Sequence, residues 1–231
     1  MKKTLFVVLM LLFAGVSGLF AVQIVSKSNS YSDSYSGYRM QSYDYIGMNI
    51  GYGVTNETYD LSDTSKRVDK GYQFGFSFND FMFFDSSSAV GFYVELGIDL
   101  NTKTESTING VSAPEDRLTP FFSDMVVGFA FKAEVDKRTS VLIGVGPEIM
   151  VYSKEYKTPK YEKDLLVLGA GIDLEGVYMI SKNVYIGVGF RSSFMFYATE
   201  IDKKKSSTSY TKYDNYFGYR VLPRFSVYMG I

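Results

Sequence analysis

The sequence predicts an all-β fold, an eight-stranded antiparallel up-and-down transmembrane β-barrel. Two observations lead to this prediction. Eight segments of about 10 residues alternate apolar with small or polar side chains, which is the period of a β-strand and the length of a tilted strand that crosses a membrane. The connections between these segments are alternately long and short, an asymmetry typical of transmembrane barrels.

Residues 1–21 have the three parts of a secretory signal peptide. Lys2 and Lys3 form the charged start, residues 5–13 are apolar, and small residues precede the predicted cleavage site after Ala21. The apolar run is shorter than the about 20 residues that a membrane-spanning helix needs. We therefore predict a cleaved signal rather than an anchor.

The rest of the chain divides into a leader and a barrel. Residues 22–42 are rich in Ser and Tyr and have no sustained apolar period, which predicts an exposed leader. Residues 43–231 contain all eight alternating segments and form the predicted barrel. Cleavage after Gly18 is an alternative that would lengthen the leader.

The first four segments each have one apolar face. In residues 46–54, Ile, Met, Tyr and Val alternate with Gly and Asn, and in residues 72–79 Tyr and Phe alternate with Gln, Gly, Ser and Asn. Residues 90–100 set Val, Phe, Leu and Ile against Gly, Tyr, Glu and Asp, and residues 125–132 set Met, Val and Phe against Val, Gly, Ala and Lys. This is the pattern of strands with two different environments.

The last four segments repeat the pattern. Residues 141–152 set Val and Ile against Leu, Gly, Glu and Tyr, and residues 166–175 set Leu, Ala and Ile against Val, Gly, Asp and Glu. Residues 184–196 set Val, Ile and Phe against Tyr, Gly, Arg and Ser, and residues 217–231 continue the alternation to the end of the chain. No segment has a convincing amphipathic helical period, so we predict no helix.

The connections predict which rim of the barrel carries the loops. We expect long polar loops on one rim, after the odd segments, over residues 55–70, 101–120, 153–164 and 198–214. We expect tight turns on the other rim, after the even segments, over residues 85–88, 136–139 and 181–183. Both termini then lie on the side of the tight turns.

Alternation alone is compatible with two kinds of barrel, since the apolar face could meet lipid or line the interior of a soluble ligand-binding barrel. The opposite face is crowded with glycine, which is a poor strand former on a surface that faces water. Small residues fit the lumen of an eight-stranded barrel, where space is short. We therefore predict that the glycine-rich face is the lumen.

The predicted lumen also carries charge. Buried charges persist when they are paired and hydrogen-bonded, so a near balance of acids and bases predicts an ion-pair network that plugs the lumen. The predicted network contains Glu95, Asp99, Lys132, Glu148, Asp173, Glu175, Arg191, Arg220 and Arg224. A proton relay on the carboxyl pair Asp173 and Glu175 is the functional alternative to this structural role.

In these features, over about residues 43–231, the chain resembles the small outer-membrane barrels of the OmpA/OmpX/OmpW type. The resemblance implies a bacterial outer membrane, contact with its lipid, and insertion by the outer-membrane assembly machinery. In such proteins the machinery recognises a last strand that ends in an aromatic residue. Here the strand ends in Ile231 and contains Pro223, which departs from that pattern.

Composition bears on chemistry and partners. The chain has no histidine and no cysteine, whereas the barrel enzymes of the outer membrane use a histidine as acid or base. We therefore predict no enzyme, no catalytic or metal-binding residue and no cofactor. A formal net charge of −1 gives no reason to expect a nucleic-acid partner, and we expect a monomer.

The predicted function is a structural or surface-interaction role through long extracellular loops, which are common binding sites on rigid scaffolds. A narrow pore or hydrophobic-solute channel is the first alternative, and a soluble periplasmic ligand-binding barrel is the second. Candidate loop contacts with a ligand are Lys203, Lys204 and Lys205. Tyr45, Tyr72 and Tyr216 lie near the predicted rims, where we expect tyrosines to anchor the barrel at the membrane interface.

Overall fold

The computed structural model describes the backbone of residues 44–62, 65–85, 87–112, 117–118, 122–157, 160–204 and 207–231. Side chains are described for these residues except 61–62, 65, 101–104, 117–118, 122, 152–157, 160–163, 201–204 and 207–211. The predicted signal peptide and leader, residues 1–42, lie outside the described residues.

The described residues form antiparallel strands of very different lengths. In chain order these are β1 (Asp44–Ser62), β2 (Ser65–Phe83), β3 (Val90–Ile108), β4 (Val111–Ser112), β5 (Arg117–Leu118), β6 (Phe122–Glu134), β7 (Thr139–Lys157), β8 (Lys160–Ser181), β9 (Val184–Lys204), β10 (Ser207–Lys212) and β11 (Asp214–Gly230). Within the described ranges, no helix is long and apolar enough to cross a membrane.

Eight of these strands close into a ring. Each of β1, β2, β3, β6, β7, β8, β9 and β11 pairs with the next, and β11 pairs with β1. At this closing seam Ile46 lies opposite Met229, and the Ile231 N–H donates to the Asp44 carbonyl oxygen at 3.0 Å. The short strands β4, β5 and β10 add to β3, β7 and β9. The prediction of an eight-stranded up-and-down barrel is confirmed.

The long loops were predicted in the wrong form, because much of each one continues a strand. β1 and β2 stay paired as far as Ser62 and Ser65, and β7 and β8 as far as Lys157 and Lys160. The exposed apolar side chains of the ring strands, such as Met48, Ile50 and Val54 on β1, form a belt around the barrel that we call the apolar band. Beyond it the outward residues of β1 are polar, namely Asn56, Thr58 and Asp60, so the strand loses its apolar alternation while its backbone pairing continues. We call this end of the barrel the hairpin rim. The opposite end, with the connections at residues 84–89, 135–138 and 182–183, is the turn rim.

The apolar face of the strands points away from the lumen. On β11, Phe225 is 47% exposed and the neighbouring Arg224 is 7% exposed, and burial alternates in this way along the whole strand. Exposed Phe, Val, Ile and Met side chains continue this outer surface on β1, β2, β3, β6 and β9. A soluble barrel with an apolar ligand site would have the opposite arrangement.

Buried apolar side chains form two clusters inside the barrel, one toward each rim. The turn-side cluster contains Tyr45, Phe81, Phe83, Tyr93, Val126, Ala130, Leu142, Val177, Met179, Tyr185 and Tyr228. The hairpin-side cluster contains Tyr59, Met150, Leu165, Val167, Met195, Ala198 and Tyr216. Tyr45 and Tyr216 are therefore buried in the lumen and were wrongly predicted as interface anchors. Tyr72 is exposed and stacks on Tyr52 outside the barrel, with ring centroids 6.4 Å apart.

Candidate functional site

Buried ionic side chains occupy the lumen between the two apolar clusters. We call this set the charged layer, and it contains Glu95, Asp99, Asp124, Glu148, Asp173, Glu175, Arg191, Arg220 and Arg224. All of these residues are buried. The acids come from β3, β6, β7 and β8 and the arginines from β9 and β11, so the layer connects six of the eight strands of the ring.

Glycine makes room for most of the acids. Five of the six carboxylate residues lie directly across from a glycine of the adjacent strand, in the pairs Asp99–Gly75, Asp124–Gly97, Glu148–Gly169, Asp173–Gly144 and Glu175–Gly189. A Cβ atom at Gly97 would lie 2.9 Å from the Asp124 Cγ, which is too close for any side chain. The glycine-rich face therefore provides the space in which the carboxylates fold inward.

Arg191 is one junction of the charged layer. Its Nη1 lies 2.5 Å from Glu95 Oε1 and 2.8 Å from Asp124 Oδ1, and its Nη2 donates to Glu148 Oε1 at 2.7 Å. Three carboxylates from three strands are thus held by one guanidinium. Arginine suits this position because its planar group presents five donors in fixed directions.

Arg220 joins the carboxylates nearer the hairpin rim. Its Nη1 donates to Asp99 and, at 2.8 Å, to Asp124 Oδ2, while its Nη2 donates to Glu148 Oε1 at 2.8 Å. Ser193 Oγ accepts from Arg220 Nε at 3.3 Å. Glu148 therefore bridges Arg191 and Arg220.

Arg224 joins the carboxylates nearer the turn rim. Its Nη1 donates to Glu95 Oε1 at 2.6 Å and to Ser77 Oγ at 3.0 Å, and its Nη2 lies 2.5 Å from Asp173 Oδ2. The Arg224 Nε is farther from Glu175 Oε1, at 3.6 Å. Because Glu95 contacts both Arg191 and Arg224, the three arginines belong to one continuous network.

Neutral side chains extend this network toward the turn rim. The Tyr93 hydroxyl contacts Glu95 and lies 2.9 Å from Asp173 Oδ2. Asn79 Nδ2 donates to Asp173 Oδ2 at 3.2 Å and to the Tyr228 hydroxyl at 3.0 Å. Tyr93 and Tyr228 also belong to the turn-side cluster, so they join the polar and apolar parts of the lumen.

The structure places eight of the nine predicted network residues in the charged layer. The ninth, Lys132, is buried near the turn rim, with its Nζ 3.8 Å from Glu134 Oε1 and 5.0 Å from the centre of the Phe83 ring. Asp124 was missed, because the fourth segment was predicted to begin at Met125. The signal was present in the sequence, since Asp124 precedes inward-facing Val126 by two residues.

Lys205 and the side chains of Lys203 and Lys204 lie outside the described residues. Within the described residues, no group of three or more Asp or Glu side chains is arranged to hold a metal ion.

Two exposed aspartates order turns at the turn rim, outside the membrane-crossing part of the strands. Asp136 Oδ1 accepts from the backbone N–H groups of Arg138 at 2.7 Å and Thr139 at 2.8 Å. These hydrogen bonds lower the pKa of Asp136, with the Arg138 N–H contributing most. The pKa of Asp85 is lowered chiefly by the hydroxyl groups of Ser87 and Ser88.

Comparisons with known proteins support the fold. No protein-family model matches the sequence, and no curated protein matches it significantly. Among solved structures, a major outer membrane protein from Thermus thermophilus is 10% identical with a TM-score of 0.52, covering 81% of this chain and 99% of that chain. The outer membrane protein OprG from Pseudomonas aeruginosa is 12% identical with a TM-score of 0.50, covering 84% of this chain and 98% of that chain. The chain therefore has the fold of the small outer-membrane β-barrel proteins, similar to the OmpA/OmpX/OmpW type.

Proposed function

We propose that the protein is an integral outer-membrane barrel with a closed lumen, and that it has a structural or surface-interaction role through the hairpins of its hairpin rim. The observation that carries the proposal is the filling of the lumen in three layers. The charged layer lies between the turn-side cluster and the hairpin-side cluster, and its ionic groups are tied to one another across the barrel. A conducting pore needs a continuous polar path, which two apolar clusters oppose.

The outer surface supports membrane insertion. Its exposed side chains on adjacent strands are mostly Phe, Val, Ile and Met, and a closed barrel satisfies all backbone groups between neighbouring strands, as a bilayer requires. The partners that we propose are outer-membrane lipid and the outer-membrane assembly machinery, with residues 1–21 as the cleaved signal for export from a diderm bacterium's cytoplasm.

The hairpins and the lack of histidine support a non-enzymatic surface role. Strands β7 and β8 pair to Lys157 and Lys160, well beyond the apolar band, so the hairpin rim projects into water and presents backbone and polar side chains to a ligand. We propose Lys203, Lys204 and Lys205 as candidate contacts for an extracellular anionic ligand. Replacement of all three by Gln should weaken retention on an anionic matrix, with Lys137→Gln on the turn rim as the control.

Planar-bilayer recording and liposome swelling on the refolded mature protein test the closed lumen. We expect no discrete conductance steps and no swelling in sugars, while a refolded porin in the same lipid gives both. Stable unitary openings would support the narrow-pore alternative instead. A heat-modifiable band in the outer-membrane fraction tests the location, and a mature chain that is fully soluble without detergent would refute it.

A further inference from the structure

The charged layer contains more carboxylates than it has cations to neutralise them. Six buried acids face three arginines, so full ionisation would leave an excess of three negative charges in the lumen. An uncompensated carboxylate in a dry environment is far less stable than one in water. The excess must therefore be reduced by a bound positive ion.

The hydrogen-bond geometry shows a shortage of hydrogens at the same place. The Tyr93 hydroxyl is within hydrogen-bond distance of carboxyl oxygens of both Glu95 and Asp173. A phenol has a single hydrogen to donate, and a carboxylate has none. Both contacts become hydrogen bonds only when one of the two carboxyl groups carries a proton.

Several carboxyl oxygens of the charged layer have no donor. Glu148 Oε2, Asp173 Oδ1 and Glu175 Oε2 are buried and make no hydrogen bond, although each belongs to a residue that is at most 2% exposed. Buried acceptors of this kind are rare in folded proteins. A proton on the carboxyl group converts such an oxygen from a charged acceptor to a neutral hydroxyl or carbonyl.

We propose that the charged layer is a proton-binding site, in which the pairs Asp99–Asp124 and Asp173–Glu175 each hold one proton when the barrel is folded. Asp99 and Asp124 share the Nη1 of Arg220. Asp173 and Glu175 are neighbours on the lumen face of β8 and share Arg224. Asp99, Asp173 and Glu175 thus each contact a single arginine, which they share with a second carboxyl group, and a bound proton supplies the additional positive charge. Asp124 also contacts Arg191, so in the first pair the proton belongs on Asp99.

The groups around Asp99 and Glu175 show why a proton is the positive charge expected to neutralise each carboxyl pair. Asp99 faces Arg220 on β11, Asp124 on β6 and Gly75 on β2, with Arg191 on β9 farther away. Glu175 faces Arg224 and Ser226 on β11, Gly189 on β9 and Leu142 on β7, and Glu95 on β3 adds further negative charge. Glu95, Glu148 and Asp124 differ from Asp99, Asp173 and Glu175, because each of the first three contacts two arginines.

The proposal predicts that folding takes up protons. A carboxyl group that is protonated in the barrel and ionised in the unfolded chain makes folding less favourable as pH rises. The urea concentration at which half of the refolded barrel is unfolded in lipid vesicles should therefore decrease as the pH is raised from about 5 to about 9. This inference is independent of the proposed surface role, because it concerns the lumen alone.

Neutral variants locate the protons. Asp99→Asn and Glu175→Gln have nearly the same shape as the wild-type side chains, and each should make the urea midpoint less dependent on pH and higher than wild type at about pH 9. Glu148→Gln is the matched control. It removes a charge that two arginines already neutralise, so it should lower the midpoint at every pH and leave the pH dependence nearly unchanged.

Infrared spectroscopy of the folded wild-type barrel gives a second readout that needs no variant to fold. We expect the carbonyl stretch of a protonated carboxylic acid at about neutral pH, resistant to exchange into deuterated water. Two results would overturn the proposal: a pH-independent midpoint without this band, or a midpoint that sodium or calcium chloride raises at high pH while the band is absent. The second result would assign the site to a metal cation.

Discussion

At the residue scale, the packing of the lumen depends on positions that have no side chain. Gly144 lies across from Asp173, and a Cβ atom there would be 2.6 Å from the Cγ of the Tyr93 ring. Gly144→Ala should lower the free energy of unfolding by about 1–3 kcal/mol, because the aromatic ring must move within a packed core. Denaturant unfolding in lipid vesicles measures this change.

Gly176 is the matched control for this substitution. It lies on the same pair of strands, and a Cβ atom there meets only the Val188 carbonyl oxygen at 3.7 Å, an ordinary contact. Gly176→Ala should leave stability unchanged or raise it slightly, since alanine restricts the unfolded chain more than glycine does. Equal losses for both variants would show that Gly144 is needed for backbone reasons and not for space.

Arg191 tests the strength of the charged layer. Arg191→Met keeps most of the side-chain volume but leaves Glu95, Asp124 and Glu148 with fewer cationic partners. Removing one partner of a buried network costs about 3–5 kcal/mol of stability, measured as a loss in the free energy of unfolding. Lys137→Met in the exposed β6–β7 turn is the control and should have little effect. A loss of stability no larger than that of the control would contradict the network.

The alternation of a strand predicts the face on which a residue lies, but it does not predict the residue's height in the barrel. Asp173 and Arg191 were assigned to the lumen by alternation alone, and the structure places them directly opposite each other on β8 and β9. Lys132 shares the lumen face but lies near the turn rim, beside Phe83. Height depends on the register between neighbouring strands, and the alternation of one strand contains no information about its neighbour's offset.

At the scale of the elements, the seam between β1 and β11 decides whether the ring is closed. Met48 and Val227 are paired across this seam and both are exposed on the outer surface. Because the chain has no native cysteine, a Met48→Cys, Val227→Cys variant should form a disulfide on mild oxidation of the folded protein, at the Cα separation of paired strands. Non-reducing electrophoresis measures the yield.

An offset pair controls for chance collision at the seam. Met48→Cys with Phe225→Cys places the two thiols on the same face but two residues out of register, where the Cα atoms are too far apart for an unstrained bond. Equal yields for both pairs would mean that the seam is open or slips.

Pro223 marks an interruption of the same seam. It lacks an N–H and lies where the pairing skips from Gly51–Arg224 to Val54–Val221, after which the pairing resumes.

The tight turn between β6 and β7 adds a pH-dependent element at the turn rim. The Asp136 carboxylate accepts from Arg138 N–H, Thr139 N–H and the Thr139 hydroxyl, and these bonds lower its pKa. The stabilisation is complete above the ordinary pKa range of aspartate and is lost as pH falls through the lowered pKa. The difference in urea midpoint between wild type and Asp136→Asn should therefore be small, present at about pH 6, and absent in strong acid.

The same elements show why strand length was underestimated. Tyr59 and Asp69 on β1 and β2 face inward above the apolar band, and the Tyr59 hydroxyl donates to Asp69 Oδ2 at 3.0 Å. A polar hairpin in water is stabilised by such cross-strand pairs and by its backbone ladder. Neither the polar pairs nor the backbone hydrogen bonds require an apolar residue at every second position, so the sequence of a polar hairpin resembles that of a loop.

At the scale of the whole molecule, the barrel is organised by two opposite surfaces on the same strands. The outward positions are apolar and exposed, while the inward positions hold the charged layer between two apolar clusters. A barrel in water would lose stability from this arrangement, because its exposed face is apolar. The arrangement becomes favourable when lipid covers the outer face, which links the fold to its environment.

One substitution distinguishes lipid from water at this outer surface. Val188 on β9 and Val135 in the turn after β6 are both 65% exposed, but only Val188 lies within the apolar band. If lipid covers the band, Val188→Arg should reduce the free energy of unfolding in vesicles by about 2–4 kcal/mol, and Val135→Arg at the turn rim by about 0–1 kcal/mol. In water both substitutions would be nearly neutral, since an exposed arginine remains hydrated. Equal, small effects of the two variants in vesicles would therefore mean that the band does not contact hydrocarbon, and the membrane-spanning arrangement would have to be abandoned.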